Sequence, residues 1–423
     1  MKILQIHKYY SFQRGGGSVS AFFETKKLLE ERGHQVIIFS MQDKTNEKSP
    51  YSKYFISHFD INQTKNFREK IKLGIRSIYN REAKKKLEIL LQKEKPDIAH
   101  IHNIYHYITP SIIDSLKKYH IPIVFKLSDY KIVCPNYKLF TQGHICQKCL
   151  QGRYYNTFIH KCLKDSYAIS FVAMLEAYFH KWKKTYTKVN RFLAPSQFMI
   201  DIVSSAGIPS KKISLLRNVL NFSQFEADFE KRNYFAYVGR ISEEKGLDIL
   251  LKAVAFLKNN QQLFNHKLLI VGKGPSEKKL HQLAQKLNIT DVVKFKGFLA
   301  KNTRDWKNIF QKARFTVLPS IWYDNSPVAI SESMAFGTPV IVSNLGGTPE
   351  MIENEKSGLI FEARDKIDLA EKILKLISNP QKAKEMGKKA FQRVHKINNE
   401  ELYYKKLFQI YKEVIKENEN KKI

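Results

Sequence analysis

Cysteine is scarce in this chain, with 4 among 423 residues, and all four fall in one window, from Cys134 to Cys162. That excludes a small secreted scaffold held by a dense disulfide framework. No run of eighteen apolar residues occurs, which argues against a spanning helix. The sequence enters a strand directly at Met1-Lys-Ile-Leu-Gln-Ile, without an apolar leader, so a cytoplasmic protein is expected. Acidic residues are also short in supply, 40 Asp and Glu against 72 Lys and Arg, leaving a formal charge of +32. Residues 1–217 hold 37 of the cations and 16 of the acids, a balance of +21, and the remainder holds +11. An anionic bilayer surface, nucleic acid or a phosphorylated acceptor would each answer such a field, as would a lysine-rich surface that only solvates the protein. Short-period repeats and low-complexity linkers are missing as well. The length suffices for two domains, each with its own core.

Strands and helices alternate throughout. A strand at Ile3–Ile6, a turn at Gly15-Gly16-Gly17, a helix from Ser18 to Arg32 closed by Gly33, and a strand at Gln35–Ser40 form one βαβ unit. Further buried strands are expected at 98–101, 121–126 and 191–194. A second series begins near Asn218, with strands at 235–238, 267–271, 292–295, 315–319, 339–342 and 358–361. Helices fit between them at about 246–258, 275–287, 303–312, 327–336 and 366–377. This pattern implies an α/β protein with two parallel, Rossmann-like sheets, domain boundaries at 1–215 and 218–399, a cleft between them, and ligands at the carboxyl ends of the strands. The last helix, 400–416, carries Leu402, Leu407, Ile410, Tyr411 and Ile415 and is expected to return to the first domain.

The most informative segment runs from Trp322 to Ser343. Ser326 suits an N-cap, Pro327 the first helical position, and Gly337 the left-handed residue that ends the helix. The helix N-terminus offers amide groups and partial positive charge to an anionic or hydroxyl-rich ligand. Asp324 and Glu332, eight residues apart, flank it. A second constellation, Tyr237-Val-Gly-Arg240-Ile-Ser-Glu-Glu-Lys245-Gly246, follows a strand and precedes a helix. Arg240 offers a two-pronged donor and Lys245 a point charge, a pair suited to a diphosphate and otherwise readable as solvated loop cations. Gly272-Lys-Gly274-Pro275 is a turn where a base or ribose could approach the backbone. Gly15 to Gly17 do not match the dinucleotide G-x-G-x-x-G pattern, yet their amides could cradle a phosphate or sugar; a plain flexible turn reads equally well.

Two further patterns stand apart. Cys146-Gln-Lys-Cys149 has the spacing of a zinc half-site that Cys134 and Cys162 could complete, with His144 and His160 as substitutes and free thiols as the other reading. Over residues 63–95, Phe67, Ile71, Ile75 and Ile78 recur near helical spacing among Lys65, Arg68, Lys70, Lys72, Arg76, Arg81 and Lys84 to Lys86. That reads as a basic amphipathic helix, either at a membrane interface or packed on its own sheet.

Taken together, the segments 237–246, 269–275, 292–298 and 319–352 resemble the family 4 retaining glycosyltransferases, and the resemblance covers nearly the whole chain. It implies the GT-B fold, in which two Rossmann-like domains face each other, an acceptor domain at 1–215 with the 400–416 helix and a nucleotide-sugar domain at 218–399. By the resemblance, Glu332 holds the ribose and Asp324 approaches the transferred sugar, these two being the catalytic candidates. The stretch Asn325, Ser326, Pro327 and Val328 supports sugar hydroxyls through the amides it offers, Arg240 and Lys245 bind the diphosphate, and Gly16, Gly17 and Gly272 complete the donor set. Asp324 replaces the family's usual glutamate and is one methylene shorter. Ser128-Asp129 stands where the family commonly has His-Asp, on the acceptor side, and a hydroxyl cannot donate as imidazolium. The implied activity is a metal-independent, hexosyltransferase-type retaining transfer from a nucleotide diphosphate sugar, uridine favoured, to a lipid-linked or cell-surface saccharide. No cofactor is required, and structural zinc is the one metal expectation. The partners expected are the donor, that acceptor and an anionic membrane surface, with no specific nucleic acid, and the location is peripheral on the inner face of the membrane. The alternative is a catalytically weak or inactive GT-B protein that binds polysaccharide or nucleic acid.

Overall fold

The computed structural model describes residues 1–14, 16–59 and 66–420. Gly15 and Lys65 lie outside the described residues, as does the side chain of Phe67. The chain divides into two compact units, one of residues 1–141, 146–219 and the segment from Glu400 onward, the other of residues 142–145 and 220–399.

In the first unit, β1 (Lys2–Ile6), α1 (Gly17–Glu31) and β2 (Gln35–Phe39) make the opening βαβ turn. Then come α2 (Phe67–Ile78), α3 (Arg81–Glu94), β3 (Ile98–Ile101), α4 (Ile112–Lys118) and β4 (Ile123–Lys126). An irregular stretch holds the two-residue strands β5 (Phe140–Thr141) and β6 (His144–Ile145), a 3-10 turn at Leu150–Gly152 and the single turn α5 (Asn156–Ile159). It leads to α6 (Tyr167–Trp182), β7 (Arg191–Ala194), α7 (Gln197–Ser205) and β8 (Ile213–Leu215). The sheet is all parallel in the order β2-β1-β3-β4-β7-β8.

Where a single amphipathic helix was expected over 63–95, there are two. Asn80 is fully buried, its side chain accepts from the Ala83 amide, and its own amide donates to Thr109 Oγ1. A buried N-cap satisfied this fully starts a new helix rather than continuing the old one.

The second unit runs β9 (Tyr234–Val238), α8 (Leu247–Asn259), β10 (Lys267–Val271), α9 (Glu277–Lys286), β11 (Val293–Gly297), α10 (Arg304–Lys312) and β12 (Thr316–Leu318). It continues through α11 (Val328–Ala335), β13 (Val340–Ser343), β14 (Gly358–Phe361), α12 (Lys366–Ile377) and α13 (Pro380–Ile397). Its parallel sheet has the order β11-β10-β9-β12-β13-β14. Strands buried on both faces read as apolar runs because helices cover both sides. Phe235, Leu268, Ile270, Val317 and Ile341 form one core with Leu250, Leu251 and Val254 of α8 and Leu369 and Ile373 of α12.

The last described element is α14 (Glu400–Glu419), which belongs to the first unit. Tyr403, Leu407, Ile410, Tyr411 and Val414 are its buried residues, packed with Val19, Phe22 and Leu29 of α1. Leu402 was counted on the apolar face and is instead exposed at 42%. A helix advances 100° per residue, and the stripe that meets the sheet starts at Tyr403.

Candidate functional site

The geometry of the second sheet selects where a ligand can sit. Strand β9 lies at its centre, paired with β10 on one side and β12 on the other. The chain therefore leaves in opposite directions from two adjacent strands, which opens a crevice at their carboxyl ends. Arg240 and Lys245 follow β9, and Asp324 follows β12. The two loops are tied together where the Ile321 amide donates to the Glu244 carbonyl at 3.0 Å.

Lys245 and Asp324 form an ion pair across those loops, both side chains largely shielded. Ser320 Oγ donates to the same Asp324 carboxylate oxygen at 3.1 Å, and the Lys245 ammonium lies 5.3 Å from the ring centre of Trp322. Arg240 is exposed, and its carbonyl accepts the Tyr237 hydroxyl at 2.6 Å. Burial raises the Tyr237 pKa well above the ordinary phenol value, Asp324 and Glu244 push the same way, and Arg240 opposes them. Arg240 and Asp324 thus act on one hydroxyl, so both charges stand around the same strand end.

Glycine is required here by backbone contact. A Cβ on Gly272, which has φ +139°, would lie 1.8 Å from the Gly239 carbonyl oxygen, and one on Gly274 would lie 2.0 Å from the Ile241 oxygen. The loops after β9 and β10 are therefore in backbone contact, held also by Gly239 N to Val271 O at 3.0 Å and Ile241 N to Lys273 O at 3.1 Å. Only residues without a side chain allow that approach.

Helix α11 begins one residue later than its sequence suggests. Pro327, with ψ 122°, is the N-cap, there is no side-chain cap, and Ser326 Oγ is directed at Met351 Sδ, 4.0 Å away. The extended Pro327 places the serine outside the helix and leaves the helix start without a capping side chain. Gly337, at φ +70°, ends it. Asp324 and Asn325 are buried just before this N-terminus, and Glu332 is buried one turn inside. The Glu332 carboxylate already has a cation, Lys301, at 2.9 Å. Lys301, Ser320 and Trp322 were missed as site residues. Lys301 sits in a turn with no periodicity, and only the fold brings it to α11, whereas Trp322 begins the very segment singled out and could have been included.

The remaining candidates belong to the first unit. Gly16 is the N-cap of α1 at φ +88° and Gly17 its first residue. Ser128 and Asp129 follow β4. The Asp129 carboxylate accepts from the Lys131 amide at 3.0 Å and Asn103 Nδ2 at 3.3 Å. Burial raises its pKa against the pull of Lys8 and Lys131. All four cysteines are free thiols and line one small cavity together with His160; His144 is exposed in β6. Among the described residues, no three His, Cys, Asp or Glu side chains are grouped so as to hold a metal ion. No described helix is long and apolar enough to cross a membrane.

Known proteins resemble this chain in sequence and in fold. Residues 220–393 match the family described as glycosyl transferases group 1. Among curated relatives, the amylovoran biosynthesis glycosyltransferase AmsK of Erwinia amylovora is 30% identical over 207 residues, 46% of this chain and 50% of the relative. A Campylobacter jejuni enzyme named as an α-1,4-N-acetyl-D-galactosaminyltransferase acting on a diphospho-undecaprenol-linked saccharide is 30% identical over 187 residues, 43% of this chain and 50% of the relative. The chain spans about half the length of the curated relatives it matches first. Solved structures align over nearly all of it. The sucrose-phosphate synthase of Thermosynechococcus elongatus has TM-score 0.72 at 18% identity, covering 98% of each chain. Anabaena HepE, solved with UDP and glucose, has TM-score 0.65 at 16% identity, covering 98% of this chain and all of that one. Those likenesses, with two parallel Rossmann-like sheets, show the GT-B fold. The second unit thus carries, over residues 220–393, a region that matches the group 1 glycosyl transferases.

Proposed function

We propose that the second unit binds a uridine diphosphate sugar and that the protein transfers its glycosyl group to the hydroxyl of a lipid-linked saccharide with retention of configuration. The observation that carries this reading is the meeting of Lys245 and Asp324 beside the uncapped start of α11, at the switch point of the sheet. As the anomeric bond breaks, charge grows on the departing diphosphate. Lys245, Arg240 and the amides at the start of α11 would gather around it, and so favour the transition state over the bound donor. Lys245 is released from Asp324 to the diphosphate, which leaves the Asp324 carboxylate to stabilise positive charge at the anomeric carbon. Glu332 holds the ribose hydroxyls. In this scheme the side-chain cations supply the charge that a divalent metal would otherwise bring. Relatives named for polysaccharide and diphospho-undecaprenol-linked substrates support the acceptor class.

The membrane side of the proposal rests on the first unit. Helix α2 packs on α6 at Gly74, where an added Cβ would lie 3.7 Å from Val172, and leaves Ile71 and Ile75 exposed beside Arg68, Lys70 and Lys72. Helix α6 exposes Tyr167, Phe171, Leu175 and Trp182, the last at 80%, and Phe158 of α5 joins Phe171 at a ring distance of 5.7 Å. An apolar patch among lysines and arginines suits the surface of an anionic bilayer, each cation there contributing about 1 kcal/mol. This would set the protein peripherally on the cytoplasmic face.

The test of the donor is thermal stabilisation by UDP, GDP, ADP and their sugars, followed by release of nucleoside diphosphate in the presence of a lipid-linked saccharide. Selective stabilisation by uridine nucleotides that Glu332→Ala abolishes is the expected result; equal response to all three bases would defeat the assignment. Co-sedimentation with vesicles containing anionic lipid should fall when Ile75 and Trp182 are both changed to Glu, and unchanged binding would remove the α2–α6 surface.

A further inference from the structure

Between β4 and α6 the backbone is unusually irregular. From Cys134 to Asp165 the longest regular element is the four-residue turn α5. Nine residues between Tyr137 and Asp165 have positive φ, and seven of them, including Tyr137, Leu139 and Lys161, are not glycine. Left-handed conformations at residues bearing Cβ are each unfavourable and persist only where the surroundings over-determine them. A segment this irregular needs a local source of order.

The thiols supply a candidate. Cys134 ends a tight turn in which its amide donates to the Tyr130 carbonyl at 2.8 Å and its carbonyl accepts from the Tyr137 amide at 2.7 Å. Cys146 and Cys149 flank the turn that follows β6, and the Cys146 amide is fixed to the Leu139 carbonyl at 2.8 Å. Cys162 comes just after α5, its amide bonded to the Thr157 carbonyl at 3.1 Å. The chain's entire cysteine complement thereby lines a single cavity of about 10 Å³, space for one water-sized particle. Cys134 and Cys149, both buried, share a hydrogen bond between their thiols.

We propose that Cys134, Cys146, Cys149 and Cys162 form a structural site for one zinc ion, independent of the donor site. The ligand turns are already built, and the side chains are not yet at coordination geometry, so rotation about the Cα–Cβ bonds would draw the sulfurs in to about 2.3 Å from the metal. The balance is four thiols and Zn²⁺ giving a tetrathiolate complex of charge −2 and four protons, with no change of oxidation state. The surroundings suit a dianion, since Lys138, Lys148, Arg153, Lys161 and Lys164 fall within the segment against Asp165 alone. A closed four-sulfur shell leaves no open position for substrate, so the ion orders this loop and takes no part in transfer.

Metal analysis of the full-length protein, purified under reducing conditions without added metal, should find one zinc per chain. Cobalt exchange should give the intense sulfur-to-metal absorption of a tetrahedral thiolate site. Cys146→Ser and Cys149→Ser should each lower zinc occupancy at least tenfold while Lys245-dependent donor binding persists. Should those variants fail to fold, the wild-type zinc content and the loss of thermal stability on chelation still decide. Zinc below a tenth of an equivalent with four immediately reactive thiols would overturn the proposal, as would an intact mass showing two disulfides.

Discussion

The two sheets obey the same topological rule and bury different chemistry. In the second unit, β9, β10 and β12 bury Phe235, Leu268, Ile270 and Val317, and the buried charged residues Glu244, Arg314, Asp324 and Glu332 stand outside the strands. In the first, β1, β3 and β4 bury Gln5, His100 and Lys126 within the strands themselves, and His7 and His102 directly after them. Lys126 Nζ, the Gln5 amide and both ring nitrogens of His102 have no hydrogen-bond partner among the described residues. The row is covered by hydroxyls of α14. Tyr411 bonds His100 Nδ1 at 2.6 Å, and Tyr403 bonds Thr25 at 2.9 Å with Lys126 5.9 Å from its ring centre. Polar groups inside a sheet lower its stability unless all are satisfied. The comparison teaches that one unit separates stability from charge, while the other mixes them.

The sharpest way to break the comparison is to remove loop charge from the second unit. Lys245→Ala should lower kcat/KM for transfer about 10²- to 10³-fold, the usual loss for one preorganised stabilising group. Lys252→Ala, in an exposed pair with Asp248, should leave kcat/KM close to wild type. Equal effects would mean that the loop charges are not special. The opposite experiment removes strand charge from the first unit. Burial lowers the Lys126 pKa from 10.5 to about 8, so its protonated form disfavours the fold fully below pH 8, and stability rises as pH climbs from 8 toward 10.5. Lys126→Met should therefore stabilise the protein at pH 7 by about 3 kcal/mol, with the gain vanishing near pH 10.5 in denaturant titrations.

Backbone crowding gives a third contrast. Gly272→Ala should cost about 2 to 3 kcal/mol, from both its φ and the Gly239 carbonyl. Gly33→Ala, at φ +77° with nothing within 4 Å of the added carbon, should cost about 1 kcal/mol. A similar loss at both sites in thermal melts would mean that the β9 and β10 loops are not pressed together. The last contrast is in acid. Burial holds His7 and His100 near pKa 3, so each contributes stability present above pH 6.5 and lost as pH falls toward 3. Going from pH 7 to 5 should cost about 2 kcal/mol for each. Hydrogen exchange should show β1 and β3 loosening before β9 and β10, where the histidine most affected, His266, lies outside the strands. Uniform loosening would erase the distinction.

This division also explains what could be read from the residues alone. The fold was legible because parallel strands buried on both faces form apolar runs between helical patterns, and most strands of the second unit lie within one or two residues of their expected positions. The β9 and α11 segments were legible because charges clustered in loops stand out against such runs. Strand β8 was missed, being three residues long, and α13 was missed because its eighteen residues carry few large apolar side chains. The break at Asn80 depends on a tertiary contact with Thr109. Lys301 reaches Glu332 only through folding, across a separation that no local pattern records. In the first unit, Gln5 and His100 interrupt apolar runs and weaken the very signal that would mark them.

The return of α14 has a practical corollary. The first sheet's polar row is sealed by tyrosines that the ribosome delivers only after the entire second unit has been made. Chains stopped anywhere before residue 400 would leave that row open to solvent and would be prone to clump or be degraded. To isolate the first unit, an experimenter must join residues 400–419 directly behind residue 219, because cutting the chain between the units yields an unfinished half.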